Sequence, residues 1–151
     1  MSSSFRFSLQ KILDLRQRLE QEAAVELGRI LKLVADAEDE LARQEIRRKA
    51  QLDAWRSGVQ GELDISRLSL HQRGIAILDE EIEEQQALIE ELQDAADKQR
   101  QSYLEARRKR RILEKHREKE MAKFRQEVLS DRQLELDDLA SARFARREAV
   151  T

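Results

Sequence analysis

Apolar residues recur at alternating spacings of three and four over most of the chain, the signature of a helix that packs one stripe against a partner. Ala23, Leu27, Ile30, Val34, Ala37 and Leu41 form an unbroken a/d seam. Ahead of it, Ile12, Leu15 and Leu19 read as the same seam slightly out of phase. After it, Leu52, Trp55 and Val59 resume with a phase slip. Ser8 is placed to cap the amide of Lys11, with Phe7 stapled to Ile12, so a first helix is expected over about 8–57. Gly28 costs it about 1 kcal/mol of propensity, and a close approach of the partner helix would account for its presence. "SGVQGELD", residues 57–64, supplies two glycines for a left-handed helix end and Asp64 as the next N-cap, with Leu63 stapled to Leu68; the turn is expected at about 58–63.

The second helix, about 64–147, carries Ile75, Leu78, Ile82, Gln85 and Ile89, then Leu92, Ala96, Gln99, Tyr103 and Ala106; eight of these ten are apolar. Arg110, Leu113, Arg117, Glu120, Phe124, Glu127 and Asp131 continue the frame with far poorer quality, so the seam is read as ending near residue 107. The pattern predicts an all-α fold: an antiparallel two-helix coiled-coil hairpin, one domain over 1–151, with a long C-terminal helical overhang. Paired positions should sum to about 120, which sets Ser8 opposite residues 112–115 and leaves about 30 residues, roughly 45 Å of helix, without an internal partner. A lone helix is marginal in water, so this segment is expected to order on a binding partner.

Composition sharpens the picture. Charged residues are 40% of 151, aromatics 4%, proline is absent, and net charge is only −2. Such usage fits long helices with charges paired along their faces and not a compact core. Without cysteine there is no disulfide or thiolate metal site. "MSSSFRFSLQ" has no apolar core of a signal peptide, and nothing approaches a membrane span. A cytoplasmic protein without membrane insertion is expected.

"RRKRRILEKHREKE" opens a run with ten Lys/Arg and three Glu over residues 107–125. Glu114, Glu118 and Glu120 are spaced to pair with Arg110, Arg111 and Arg117 along one helix. A solvated face and a grip on an acidic protein partner both fit. Nucleic acid fits least, because the run follows its seam and lacks the base-reading pattern of a zipper's basic region. "DEEIEEQQALIEELQD", residues 79–94, holds eight acids and no base, as a solvated face or a second docking surface of opposite sign. His116 with Glu120, or His71 alone, falls short of a metal site, and a two-helix hairpin offers no pocket for catalysis. No enzyme, cofactor or metal is expected. Trp55 reads as a plug at the hairpin turn.

"FRFSLQKILDLRQRLEQEAA", then "RRKRRILEKHREKEMAKFRQE" and "ELDDLASARFARR", resemble in order the flagellar export protein FliJ family over nearly the whole chain. That resemblance implies a small antiparallel coiled coil of the flagellar type III export apparatus, similar to the central stalk of rotary ATPases. It implies partners: the export ATPase ring, whose assembly or activity such proteins promote, the cytoplasmic part of the export gate, and export chaperones. It implies a peripheral place at the cytoplasmic face of the inner membrane, with the chain acting as a monomeric hairpin. Carried over by position, the ATPase-binding residues would be Phe5, Phe7, Leu9, Leu13 and Arg16 with Arg110, Leu113, Glu114, Arg117 and Phe124. The gate-binding residues would be Ile75, Leu78, Ile82 and Gln85. Two positions depart from the family: His116 where a leucine is common, and Gly74 where members can have an aromatic. A structural dimerising coiled-coil scaffold and an injectisome stalk protein share this architecture and stay open.

Overall fold

The structure, a computed structural model, describes residues 4–59 and 65–150. It has two α-helices, α1 (Gln10–Val59) and α2 (Ile65–Val150), packed against each other as an all-α helical hairpin. Two compact units divide it: a first of Met1–Glu20 with Ala106–Thr151, and a second of Gln21–Glu105. Residues 60–64, and with them Gly61, the Asp64 cap and the Leu63–Leu68 staple, lie outside the described residues. Gly58 belongs to α1, and no glycine among the described residues has a positive φ.

The helix entrance differs from expectation in detail. Leu9, not Ser8, provides the carbonyl that accepts the first helical bond, from the Leu13 amide at 2.9 Å; the Gln10 amide donates to the Phe7 carbonyl at 3.1 Å. Phe7 is buried, but its ring packs across on His116, while Ile12 stays 44% exposed. A phenylalanine gains more from closing an interhelical contact than from a staple along its own helix.

The seam of α1 is a single unbroken frame. Leu9, Leu13, Arg16, Glu20 and Ala23 are all buried or half-buried, and the same alternation of fours and threes runs through Leu41, Gln44, Arg48 and Gln51 to Trp55. This overturns both phase slips. Ile12, Leu15 and Leu19 lie on the exposed side, and Trp55 is in frame with no shift. Polar residues fill the frame where apolar ones were sought. A heptad position is defined by its angle to the partner helix, and long polar side chains occupy it when their ends find hydrogen bonds.

In the second unit those bonds are explicit. Gln85 Nε2 donates to the Ala37 carbonyl at 2.9 Å and Gln99 Nε2 to the Ala23 carbonyl at 3.2 Å. Arg48 is ion-paired with Asp79, and Gln51 Nε2 lies 2.8 Å from His71 Nδ1. Ile30, Ala37, Ile89 and Ala96 form the buried apolar core of this unit, together with Gln44, whose Oε1 has no hydrogen-bond partner among the described residues. Gly28 faces open space, with nothing near a would-be Cβ, so it serves no close helix approach. Gly74 does: a Cβ there would sit 3.1 Å from Gln51 Nε2.

Candidate partner-binding site

The first unit brings together most of the residues carried over to the ATPase-facing tip. Arg110 is ion-paired with both Glu20 and Glu114, and its Nη2 also lies 3.3 Å from Glu20 Oε1. The Arg110 and Glu20 side chains are only 19% and 16% exposed. The Glu20 hydrogen bond, the largest influence, holds the Arg110 pKa above its ordinary value; burial opposes it, and the charges of Glu20 and Glu114 add to the rise. Farther toward the chain ends, Arg117 Nε donates to Gln10 Oε1 at 3.0 Å, and its guanidinium lies 5.6 Å from the Phe5 ring centroid. Phe5 and Phe124 stack tilted at 5.6 Å, as do Phe7 and His116.

The basic run therefore does not mark the end of the seam. Arg110, Leu113, Arg117, Glu120 and Phe124 are all half-buried in the frame inherited from Ile75. The α1 partners of Arg110 and Arg117, Glu20 and Gln10, are polar and so lie outside a seam read from apolar spacing. Within each unit, observed pairs sum to between 122 (Gln99 with Ala23) and 130 (Arg110 with Glu20), a slight offset from the expected 120. The exposed overhang begins after Phe124; from Leu129 to Val150 every residue is exposed.

Leu9, Leu13, Arg16, Leu113 and Phe124 are thus spent partly or wholly on internal packing. The side chains open to a partner are the ones the sequence reading had put in the seam: Ile12, Leu15 and Leu19, at 44%, 40% and 37% exposure, with Ile112 on α2 at 60%. Running the frame of Ala23 backward in threes and fours is the signal that finds them. Ile75, Leu78, Ile82 and Gln85 are likewise half-buried against α1, while Leu70 and Ile65 stand exposed on the same helix. Among the described residues no group of three His, Cys, Asp or Glu is placed to hold a metal ion, and no helix is long and apolar enough to cross a membrane.

Fold and site together define an all-α helical hairpin in which aromatic and arginine contacts join the start of the chain to residues 110–124 and residues 129–150 stand exposed. Residues 5–149 match the family model described as flagellar FliJ protein, and the chain belongs to that family, as a flagellar export-associated protein. No curated protein and no solved structure matches it.

Proposed function

We propose that the chain is a non-enzymatic coupling component of the type III export apparatus, docking on the export ATPase ring in the manner of a rotary-ATPase stalk. The supporting observation is the architecture of the first unit. Phe5, Phe7, Arg110, Arg117 and Phe124 tie the start of the chain to α2, while Ile12, Leu15 and Leu19 form an apolar flank 37–44% exposed. Docking on that flank buries apolar surface without opening the seam. Rigid presentation lowers the ordering cost of binding, and the bound hairpin biases ring subunits toward the assembled, hydrolysing form. Residues 125–150 extend the contact. The gate contact sits on α2 near Ile75, Leu78, Ile82 and Gln85, with exposed Ile65 and Leu70 as its reach, and export chaperones use the same cytoplasmic surface at the membrane face.

The test is the hydrolysis rate of the host's export ATPase titrated with the intact chain, with Leu15→Glu/Leu19→Glu, and with a chain ending at Val128, which keeps the Phe5–Phe124 contact. Stimulation by the intact chain that falls at least about tenfold in potency for the double variant supports the flank as the contact. Equal stimulation by all three removes both surfaces from the proposal.

A further inference from the structure

Charge is segregated around the exposed end of α2. Steps of four and three from Arg125 give Arg125, Leu129, Arg132, Leu136, Leu139 and Arg143, and the same face closes with Arg146 and Val150. No acid lies on it. The six acids of the segment, Glu127, Asp131, Glu135, Asp137, Asp138 and Glu148, all project from other angles. Leu129, Leu136 and Leu139 are 64%, 60% and 59% exposed, and Leu136, Leu139 and Arg143 line one shallow depression with Ala140, Phe144 and Arg147.

A face of the opposite kind lies on α2 in the second unit. Beside the seam, at the same alternation of spacings, stand Ile77, Glu81, Glu84, Leu88 and Glu91. Ile77 and Leu88 are 56% and 43% exposed, and residues 79–94 contain no base. Laid antiparallel, the two faces match in kind: Arg125 with Glu91, Leu129 with Leu88, Arg132 with Glu84, and Leu139 with Ile77. Leu136 then lies on the aliphatic stem of Glu81. The step lengths along the two faces differ by at most one residue, about 1.5 Å, within the reach of arginine side chains.

We infer that the arginine–leucine face of residues 125–139 docks on the glutamate–leucine face of residues 77–91 of a second copy of this chain. The occupant is argued from charge complementarity in which Arg125 and Arg132 each meet a carboxylate and two of the three leucines, Leu129 and Leu139, meet an apolar side chain. Such e/g-type charge pairing selects partner and orientation in helical assemblies. The association is weak and salt-sensitive, because both faces are solvent-exposed before docking. It is independent of the export reading; it adds that self-association and any partner using the overhang compete for one face.

The test is the solution mass of the full-length chain by sedimentation equilibrium over a wide concentration range, at about 0.05 M and about 0.5 M salt. The expected result is a mass that rises with concentration at low salt, with association at least about tenfold weaker at high salt. Arg125→Glu/Arg132→Glu and Glu84→Arg/Glu91→Arg should each be monomeric, with helix content unchanged by circular dichroism. An equal mixture of the two should associate again, since each then carries the complement the other lost. Should a double variant lose helix content, Arg132→Glu mixed with Glu84→Arg makes the same comparison. A monomer throughout the range at low salt, self-association unaffected by reversal, or a mixture that stays monomeric would overturn the proposal.

Discussion

Two glycines in the second unit make a matched pair of perturbations with opposite expected signs. Gly28 is helical, exposed and has nothing within 4 Å of the position a Cβ would take. Alanine there adds no clash and removes unfolded-state freedom, so Gly28→Ala should stabilise the chain by about 0.8–1 kcal/mol. At Gly74 the same methyl would meet Gln51 Nε2 at 3.1 Å and Cδ at 3.5 Å. Gln51 must then shift, and the Nε2 that moves is the one 2.8 Å from His71 Nδ1. Loss of that hydrogen bond costs about 0.5–1.5 kcal/mol, which offsets the helix gain, so Gly74→Ala should be neutral or destabilising. Urea denaturation followed by far-UV circular dichroism reads the difference. With a slope of about 2 kcal/mol/M for a chain of this size, Gly28→Ala should move the midpoint up by about 0.4–0.5 M at unchanged slope. A midpoint that falls for Gly28→Ala, or rises as much for Gly74→Ala, would refute the assignment of one glycine to solvent and the other to the interface.

Gln44→Leu should raise stability by about 1–2 kcal/mol in the same assay, because it removes a buried amide oxygen that has no partner among the described residues. Glu20→Ala should lower stability by about 1–3 kcal/mol, since it removes the interhelical hydrogen bonds of a mostly buried Arg110 and leaves it Glu114 alone; the paired change Glu20→Leu/Arg110→Leu should recover most of that loss. Acid should weaken α1 only below the ordinary carboxylate range. Arg29 holds the Glu26 carboxyl below its ordinary range, and Arg43 with Arg47 does so for Glu40, chiefly by hydrogen bonding. A depressed carboxyl contributes above its unfolded pKa and loses that contribution as pH falls through its lower folded value. The pH profile of stability should therefore flatten below the ordinary carboxylate range in Glu26→Gln/Glu40→Gln, and the effect should shrink in high salt.

Helix identity and antiparallel pairing were legible from periodicity because Leu27 through Leu41 and Ile75 through Ala106 are apolar at nearly every turn. The seam's full extent was not. Glu20, Arg48, Gln51, Arg110 and Arg117 occupy frame positions by virtue of partners contributed by the opposite helix, and a one-dimensional pattern weighs only the residue itself. Ile12, Leu15 and Leu19 misled for the mirror reason: their spacing is helical, but their angle points away from α2. The residues assigned to the tip all fall in the first unit, since position along a hairpin follows from its turn. Which of them are exposed depended on a rotation about the α1 axis that no spacing rule supplies.

The contacts that close the hairpin also differ greatly in how much chain they must bring together. Gln51 and His71 are 20 residues apart, Arg48 and Asp79 31, Gln85 and Ala37 48, Gln99 and Ala23 76, Arg110 and Glu20 90, and Arg117 and Gln10 107. Loop-closure entropy favours the shortest of these loops, and each contact formed shortens the loop left for the next. The same entropy therefore favours a zipper from the turn outward, and the aromatic–arginine tip, whose contacts reach residue 124, can close only once that residue has been synthesised. During synthesis α1 is complete long before its distal partner exists, so Leu9 and Leu13 wait exposed for residues beyond 110 to emerge. The tip that backs the proposed ATPase-binding flank is thus the last part of the hairpin to be completed: a chain ending before Arg110 lacks the Glu20, Gln10 and Phe5 contacts that build it.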